Sequence, residues 1–220
     1  LDNILVFIEK SLQGADEISV VLEFACDNLC ARYAVRAGVI QDVKLFAHRI
    51  YKLGSGADTA AYGEALRIEN KAKVTLILDG ENSMCSKQSN CVYVQDNSYL
   101  TITSIQGDGS SAGTLRAESG EINHAGIRGG SITVKGGTVI AKGEYGAAGI
   151  GGNAWGKIDN FSISIEGGTV EADGGWGGAG IGSASRAGGN VNINISGGTV
   201  KAVGGQGSAG IGIGYESGAK

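Results

Sequence analysis

The residues best suited to bind a ligand occupy one repeated position in the glycine-rich half of the chain. Tyr145, Trp176 and Gln206 recur at offsets of 31 and 30 residues, and each is followed by glycine. Aromatic rings pack against the C–H faces of sugars, while amides hydrogen-bond to sugar hydroxyl groups. Trp155, in the segment between the first two positions, adds another indole. The pattern indicates a candidate glycan-binding surface; the alternative is that these rings only pack over a corner of the fold.

The acidic residues do not form the pattern of a polysaccharide-cleaving site. Glycoside hydrolysis needs two carboxyl groups about 5–10 Å apart. Glu171 and Asp173 stand at i and i+2 of one segment, but lysine and apolar residues replace them in the neighbouring repeats. Glu121 and Glu144 share a repeat column and form a weak candidate for calcium binding or acid chemistry. We therefore predict that the protein is not an enzyme and name no catalytic residue.

Neither the glycine motifs nor the histidines indicate a cofactor or a metal. The GAGIG-like motifs recur inside β repeats, whereas a dinucleotide-binding loop leads from a strand into a helix. The chain has two histidines, His48 and His124, and they add no close pair of zinc-finger spacing to the cysteines. We predict no cofactor and no metal site.

The four cysteines fall into two local pairs, Cys26 with Cys30 and Cys85 with Cys91. An even number in close pairs is typical of disulfides formed in an oxidising compartment. A disulfide between Cys85 and Cys91 would pin a corner loop of the fold. The alternative is that all four residues are reduced thiols.

Charge and composition exclude some functions and point to an ordered, repetitive chain. The net charge of −4 and the pI near 5.2 argue against nucleic acid as a partner. No apolar run approaches the roughly 18 residues that indicate a membrane span. The chain begins with Leu1 rather than Met, which we interpret as a processed piece whose signal peptide would lie upstream. Of 40 glycines, 34 lie from Gly107 onward, and proline is absent.

Internal repeats decide the fold. Residues 131–152, 162–183 and 192–213 align without gaps, and a partial copy, 117–129, aligns with 140–152 at an offset of 23. Apolar residues form columns across the repeats and alternate with polar ones, as in half-buried strands. Two such columns are Ile132, Ile163 and Ile193, and Val139, Val170 and Val200.

Stacked coils would bury these columns as continuous ladders, with identical residues about 4.8 Å apart. The Gly-Gly pairs supply the positive φ of sharp corners, and interior parallel strands exclude proline. We predict an all-β fold, a single-stranded parallel β-helix or β-solenoid. The residues beyond the strands, 153–161 and 184–191, fall at one corner, which in solenoids is often the binding face.

The upstream half continues the pattern less regularly. Residues 65–78 and 91–105 each contain two alternating strands joined by a polar turn, and 18–24, 34–40 and 43–50 resemble strands. The spacing of Leu1, Ile4, Leu5, Ile8 and Leu12 predicts one face of a short helix. We expect residues 1–53 to form an irregular N-terminal cap with first strands, and 54–220 to form the β-helix.

About two thirds of the chain resembles a known family. The segments ALRIENKAKVTLILDGENS and YLTITSIQGDG and the repeated pattern SGGTVKAVGGQGSAGIG carry the likeness. They resemble the Gly-rich β-helix repeats of secreted and cell-surface proteins of Gram-positive gut bacteria, which are described as containing carbohydrate-binding domains. The resemblance implies a right-handed β-helix and an extracellular location, and it carries over no catalytic residue.

Three functions follow, in order of preference. The first is glycan binding by a secreted or surface-displayed module through Tyr145, Trp176, Gln206 and Trp155. The second is an adhesin scaffold that binds a host protein through a flat face. The third is a polysaccharide-degrading β-helix enzyme. The columns of the proposed adhesin face are Thr133, Ser164 and Asn194 beside Lys135, Glu166 and Ser196.

Overall fold

The computed structural model describes residues 64–156 and 160–220, together with the backbone of four strands nearer the N-terminus. The strands in chain order are β1 (Leu5–Phe7), β2 (Ile18–Glu23), β3 (Arg32–Arg36), β4 (Asp42–His48), β5 (Leu66–Glu69), β6 (Lys73–Asp79), β7 (Glu81–Ser86), β8 (Val92–Val94), β9 (Tyr99–Ser104), β10 (Thr114–Ser119), β11 (Ile127–Arg128), β12 (Ser131–Val134), β13 (Thr138–Lys142), β14 (Ile150–Gly151), β15 (Phe161–Ile165), β16 (Thr169–Asp173), β17 (Ile181–Gly182), β18 (Val191–Ile195), β19 (Thr199–Val203) and β20 (Ile211–Gly212).

The strands form three parallel sheets. Sheet A has the order β1-β3-β5-β8-β11-β14-β17-β20, sheet B the order β18-β15-β12-β9-β6-β4-β2, and sheet C the order β19-β16-β13-β10-β7. From β5 onward the chain visits A, B and C in turn, so β5 to β19 make five coils of a β-solenoid. The predicted all-β parallel β-helix is confirmed.

The core is a set of stacked aliphatic ladders. Ile132 pairs in register with Ile163, and Ile163 with Ile193, as the repeat columns predict. Val139, Val170 and Val200 form the corresponding ladder in sheet C. Ile132, Ile163, Val139 and Val170 are almost completely buried, whereas their equivalents in the last coil are only half buried. Each side chain is therefore shielded by the coils on either side of it.

The Gly-Gly corners are required by backbone conformation and by close packing. Gly137, Gly168 and Gly198 have φ values of 81°, 74° and 80°. A Cβ atom on Gly168 would lie 2.4 Å from the carbonyl oxygen of Gly137 in the preceding coil. Positive φ favours glycine, and the close approach of the two backbones excludes a side chain.

The partial repeat differs from the predicted alignment by one residue. Ala117 pairs with Ala141, an offset of 24, whereas Ile127 pairs with Ile150, an offset of 23. The gap-free alignment is therefore right at Ile127 and wrong at Ala117. Strand β10 ends at Ser119 and the next corner turn begins at Glu121, so the extra residue falls at this corner, where it leaves both ladders intact.

The four N-terminal strands extend sheets A and B. Strand β4 pairs with both β2 and β6, and β3 pairs with both β1 and β5, all in parallel. The predicted helix is wrong at Leu5–Phe7, because this segment pairs with β3 as a strand. Strands β2, β3 and β4 also fall within the predicted cap, residues 1–53, and the remaining residues of that segment lie outside the described residues. No helix in the described part of the chain is long and apolar enough to cross a membrane.

Candidate ligand-binding corner

The predicted site residues stand on tight turns that join sheet C to sheet A. The turns span 144–147, 175–178 and 205–208, each closed by a hydrogen bond from the fourth backbone N–H to the first carbonyl at 2.8, 2.8 and 3.0 Å. The third residue is always glycine with positive φ, which is the requirement of a type II turn. The second residue points outward and is exposed: Tyr145, Trp176 and Gln206.

The stacked coils bring these three side chains together. The rings of Tyr145 and Trp176 stack with centroids 5.0 Å apart and an interplanar angle of 11°. The indole N–H of Trp176 donates to Oε1 of Gln206 at 3.1 Å. We refer to Tyr145, Trp176 and Gln206 as the aromatic ladder. The shared repeat position predicts this proximity.

The rings of Tyr145 and Trp176 stack face to face and do not lie side by side in one plane. The coil spacing of about 4.8 Å lets rings at one repeat position stack face to face. Tyr145 and Trp176 therefore cover one face of each other and present their edges to solvent. Ile122 occupies the same position in the preceding turn, 121–124, and is 56% exposed.

A second row of turns joins sheet A to sheet B and carries Trp155. The turns span 153–156, 184–187 and 214–217, and their third residues are Trp155, Arg186 and Glu216. All three have positive φ, at 60°, 51° and 48°, although none is glycine. Bulky residues are uncommon in this conformation, and such strain clusters at functional sites.

These three side chains form a second ladder. The guanidinium carbon of Arg186 lies 4.5 Å from the ring centroid of Trp155. Its Nε donates to a carboxylate oxygen of Glu216 at 2.7 Å. The ladder begins at Trp155 because the preceding coil joins β11 to β12 through Gly129 and Gly130 alone. One face of the Trp155 indole thus has no ladder partner, and the side chain is 60% exposed.

The two ladders adjoin. Backbone N–H groups of Ala154, Ser185 and Tyr215, which precede the second-ladder residues, donate to Asn123, Gly146 and Gly177 in the turns of the first row. The ring of Tyr215 packs against Trp176 with centroids 5.3 Å apart and an angle of 51°. Sequence comparison missed Tyr215 because the repeats end before it, although it matches Ala154 and Ser185 in the turn.

Electrostatic coupling links the second ladder to Tyr215. The hydrogen bond from Arg186, followed by one from Tyr215, lowers the pKa of Glu216. The same hydrogen bond to Glu216 raises the pKa of the Tyr215 phenol. At neutral pH the corner therefore holds an anionic Glu216, a cationic Arg186 and a protonated Tyr215, which can still act as a hydrogen-bond donor.

His124 is half-buried and ends the turn 121–124 of the first corner row. Burial lowers its pKa, so the imidazole is neutral at pH 7. Its Nδ1 lies 3.2 Å from Nδ2 of Asn153. The side-chain oxygens of Asn153 and Asn90 both accept from the backbone N–H of Ala125. These amides hold successive corners together.

The predicted disulfide between Cys85 and Cys91 does not form in the structure. Both residues are thiols, and Cys85 is half-buried on β7, packed against the core. Cys91 is buried, with its thiol directed at the carbonyl oxygens of Met84 and Glu118. Burial raises the pKa of Cys91 well above its usual value. Cys26 and Cys30 lie outside the described residues.

The candidate carboxylates pair with lysines rather than with each other. Glu171 lies 3.8 Å from Lys201 in the next coil, and Glu144 lies 3.9 Å from Lys142. Within residues 64–156 and 160–220, no group of three His, Cys, Asp or Glu side chains could hold a metal ion. The alternating charges act as partners on a solvated face.

Comparison with known proteins supports the repeat architecture. A family model described as a beta helix repeat matches residues 132–154, 163–185 and 193–214. The three matches each include one residue of the aromatic ladder, and the first two end at Ala154 and Ser185, the residues that precede Trp155 and Arg186 of the second ladder. No curated protein and no solved structure matches the chain. The stacked coils and the family match agree on the architecture, a parallel β-helix built from repeats.

Proposed function

We propose that this β-solenoid is a secreted or cell-surface module that binds glycans through its two corner ladders. The observation that carries the proposal is the group of exposed rings of Trp155, Tyr145 and Trp176, with the half-buried ring of Tyr215, beside the amide of Gln206. A soluble protein seldom exposes several large aromatic rings side by side without a binding role. The resemblance to surface proteins of gut bacteria that are described as carbohydrate-binding supports the same function.

The geometry favours one mode of contact. Trp155 is 60% exposed and has a ladder partner on one face among the described residues, so its indole can pack against the C–H face of a sugar ring. The phenol groups of Tyr145 and Tyr215 and the amide of Gln206 can hydrogen-bond to hydroxyl groups along the corner. Because the ladders run along the solenoid axis, an extended oligosaccharide would meet one rung per coil, about every 4.8 Å.

A glycan array followed by calorimetry tests the proposal. We expect the wild-type chain to bind a subset of glycans, and Trp155→Ala and Trp176→Ala to weaken binding about tenfold, or about 1.4 kcal/mol, since aromatic anchors dominate binding energy. Ile105→Ala removes an exposed apolar side chain outside the corner and serves as the control. Absence of any glycan signal, or equal affinity in all four proteins, would overturn the proposal.

A second candidate function rests on the outer face of sheet B. Thr133, Ser164 and Asn194 form a polar ladder there without bulky side chains, and Ser164 donates to Glu166 at 3.3 Å. Such a flat face suits a protein partner, as in an adhesin. Pull-down from mucosal secretions with wild type and Ser164→Arg tests this role. Recovery of no specific protein, or of the same protein with both baits, would count against it.

A further inference from the structure

The corner between sheets A and B changes abruptly along the solenoid axis. Four residues, 95–98, join β8 to β9, and two, Gly129 and Gly130, join β11 to β12. In the next coil the connection from β14 to β15 has nine residues, 152–160. The short connection needs its glycines, because a Cβ on Gly130 would lie 2.4 Å from Cγ1 of Val94. The surface therefore steps outward between these two coils.

A cleft of about 370 Å³ lies at this step. We name it the step cleft. Its floor includes Gly130 and Ser131, and Asp96 and Tyr99 stand on the side of the earlier coils. The later coils contribute Asn160, Phe161, Ser162, Asn190 and Asn192. The volume falls at the lower end of the ~300–1,000 Å³ that is typical of small-molecule sites.

The lining offers unused hydrogen-bonding groups. Oδ1 of Asn160 accepts from the backbone and side-chain nitrogens of Asn190 at 3.0 and 3.2 Å, which leaves the amide N–H groups of Asn160 free to donate. Among the described residues, the side chains of Asp96, Asn97 and Asn192 have no hydrogen-bond partner. Amides and a carboxylate together can both donate to and accept from neighbouring hydroxyl groups.

The charge of the lining restricts the ligand class. Among the described residues of the lining, Asp96 is the one carboxylate and none is a cation, so these residues would repel an anionic ligand. A single carboxylate is also too few for a calcium site. Tyr99, which is 45% exposed, adds an aromatic surface at the wall. These features suit an uncharged, hydroxyl-rich ring.

We propose that the step cleft is a second binding site, separate from the corner ladders, that takes one or two rings of a neutral sugar or a similar polyol. The short connection through Gly129 and Gly130 leaves the space for the ligand. The asparagine amides, Asp96 and Tyr99 supply the contacts. The proposal does not rest on glycan binding at the ladders, and either site can fail without the other.

NMR titration with monosaccharides tests the step cleft. The protein carries Trp176→Ala, which weakens the aromatic ladder, and the probes are glucose, galactose and N-acetylglucosamine, with glucuronate as the charged comparison. We expect saturable shifts of the side-chain amides of Asn160, Asn190 and Asn192 at roughly millimolar sugar, since a single small ring has few contacts. Glucuronate should bind more weakly than glucose.

Two variants on one strand separate the cleft from general effects. Ser131 and Thr133 both point outward from β12, and only Ser131 lines the cleft. Ser131→Phe should fill the cleft and weaken sugar binding at least tenfold, while Thr133→Phe should not. Asp96→Asn, which keeps the shape of the side chain, should weaken binding several-fold and provides a second variant should Ser131→Phe unfold.

The outcomes distinguish the two proposals. Absence of amide shifts with every neutral sugar, or unchanged affinity in both Ser131→Phe and Asp96→Asn, would overturn the step cleft while leaving the ladders unaffected. Cleft shifts in Trp176→Ala together with a blank glycan array would instead overturn glycan binding at the ladders and support the cleft. Tighter binding of glucuronate than of glucose would contradict the proposed ligand class.

Discussion

At the residue scale, the second corner ladder couples a cation, an anion and a phenol in one exposed column. Arg186 lies on Trp155 and hydrogen-bonds to Glu216, which in turn shares a hydrogen bond with Tyr215. Because these groups are exposed, water and salt screen their interaction and its contribution to stability is small. The main effect of these interactions is to fix the positions and protonation states of the side chains at the corner.

Replacement of Glu216 should reveal this coupling. Glu216→Gln removes the anion that raises the pKa of Tyr215, so we expect the phenol to titrate at lower pH than in the wild type. Ultraviolet absorbance at alkaline pH, corrected with Tyr215→Phe, measures the midpoint of Tyr215. An unchanged midpoint would show that Glu216 does not contact the phenol in solution.

The stability of the fold at acid pH depends on Glu216, whose pKa is shifted down, whereas that of Tyr215 is shifted up. The pKa of Glu216 is lowered in the folded chain, so its stabilising effect is present above the unfolded-state pKa and is lost as pH falls through the folded value. We expect Arg186→Met to raise the pKa of Glu216 toward its usual range, as followed by carboxyl carbon NMR shifts between pH 2 and 6. A pKa that stays low without Arg186 would assign the shift to another group.

The thiols give a further residue-scale test. The Cys91 thiolate is disfavoured by burial, whereas Cys85 is partly exposed. Under native conditions we therefore expect iodoacetamide to modify Cys85 faster than Cys91, as quantified by peptide mass spectrometry. Detection of a Cys85–Cys91 disulfide in non-reduced peptides would contradict the thiol state of the structure.

At the element scale, the corners combine two demands on glycine that can be separated by mutation. Gly107 has φ of 92° and open space around its Cβ position, Gly168 has positive φ and a backbone atom 2.4 Å from that position, and Gly218 has neither constraint. Conformational strain alone costs about 1–2 kcal/mol in the left-handed region. Steric overlap with a neighbouring coil adds the cost of shifting its backbone.

Alanine substitutions of these three glycines should lower stability by different amounts, according to which of the two constraints each glycine satisfies. We expect Gly218→Ala to be neutral, Gly107→Ala to destabilise by about 1–2 kcal/mol, and Gly168→Ala to destabilise by about 3 kcal/mol or more. Urea denaturation followed by circular dichroism gives the midpoints. Equal stability of Gly107→Ala and Gly168→Ala would mean that the coils part easily to admit a methyl group.

The strands and corners differ in how far the sequence predicts them. Ile132, Ile163 and Ile193 were assigned to one ladder because period-two alternation and a fixed repeat length determine both face and register. Tyr145 and Trp176 were placed side by side for the same reason. Their face-to-face packing could not be predicted, because it depends on side-chain rotamers. The step cleft could not be predicted from the aligned repeats, because it arises where the connections between strands differ in length. Tyr215 was missed because it lies beyond the last aligned repeat.

At the scale of the whole molecule, the solenoid has a gradient of protection. Ile163 is fully buried by coils on both sides, whereas in the last coil Ile195 and Ile211, whose equivalents in the preceding coils are buried, are 42% and 45% exposed. In repeat proteins each unit is stabilised by its neighbours, so a coil with one neighbour has roughly half the interface energy. Among the described coils, we therefore expect the one that contains β18 and β19 to open first.

Hydrogen exchange should map this gradient. We expect backbone amides of β18 and β19 to exchange faster than those of β12 and β15, and Ile163→Ala to destabilise by about 2–5 kcal/mol, well above Ile193→Ala. Mass-spectrometric exchange at peptide resolution and urea titration provide the measurements. Uniform protection across the coils would indicate a single cooperative unit instead.

The type II turns of the first corner row leave one position unconstrained. Glycine or asparagine at the third place sets the backbone, and the second place holds Ile122, Tyr145, Trp176 and Gln206 in four successive coils. Four chemically unlike side chains are thus displayed on one unchanged frame. A substitution at this position changes the exposed surface of one coil without altering the residues that form the turn. Related proteins with the same fold could therefore differ in the ligand they recognise, one coil at a time.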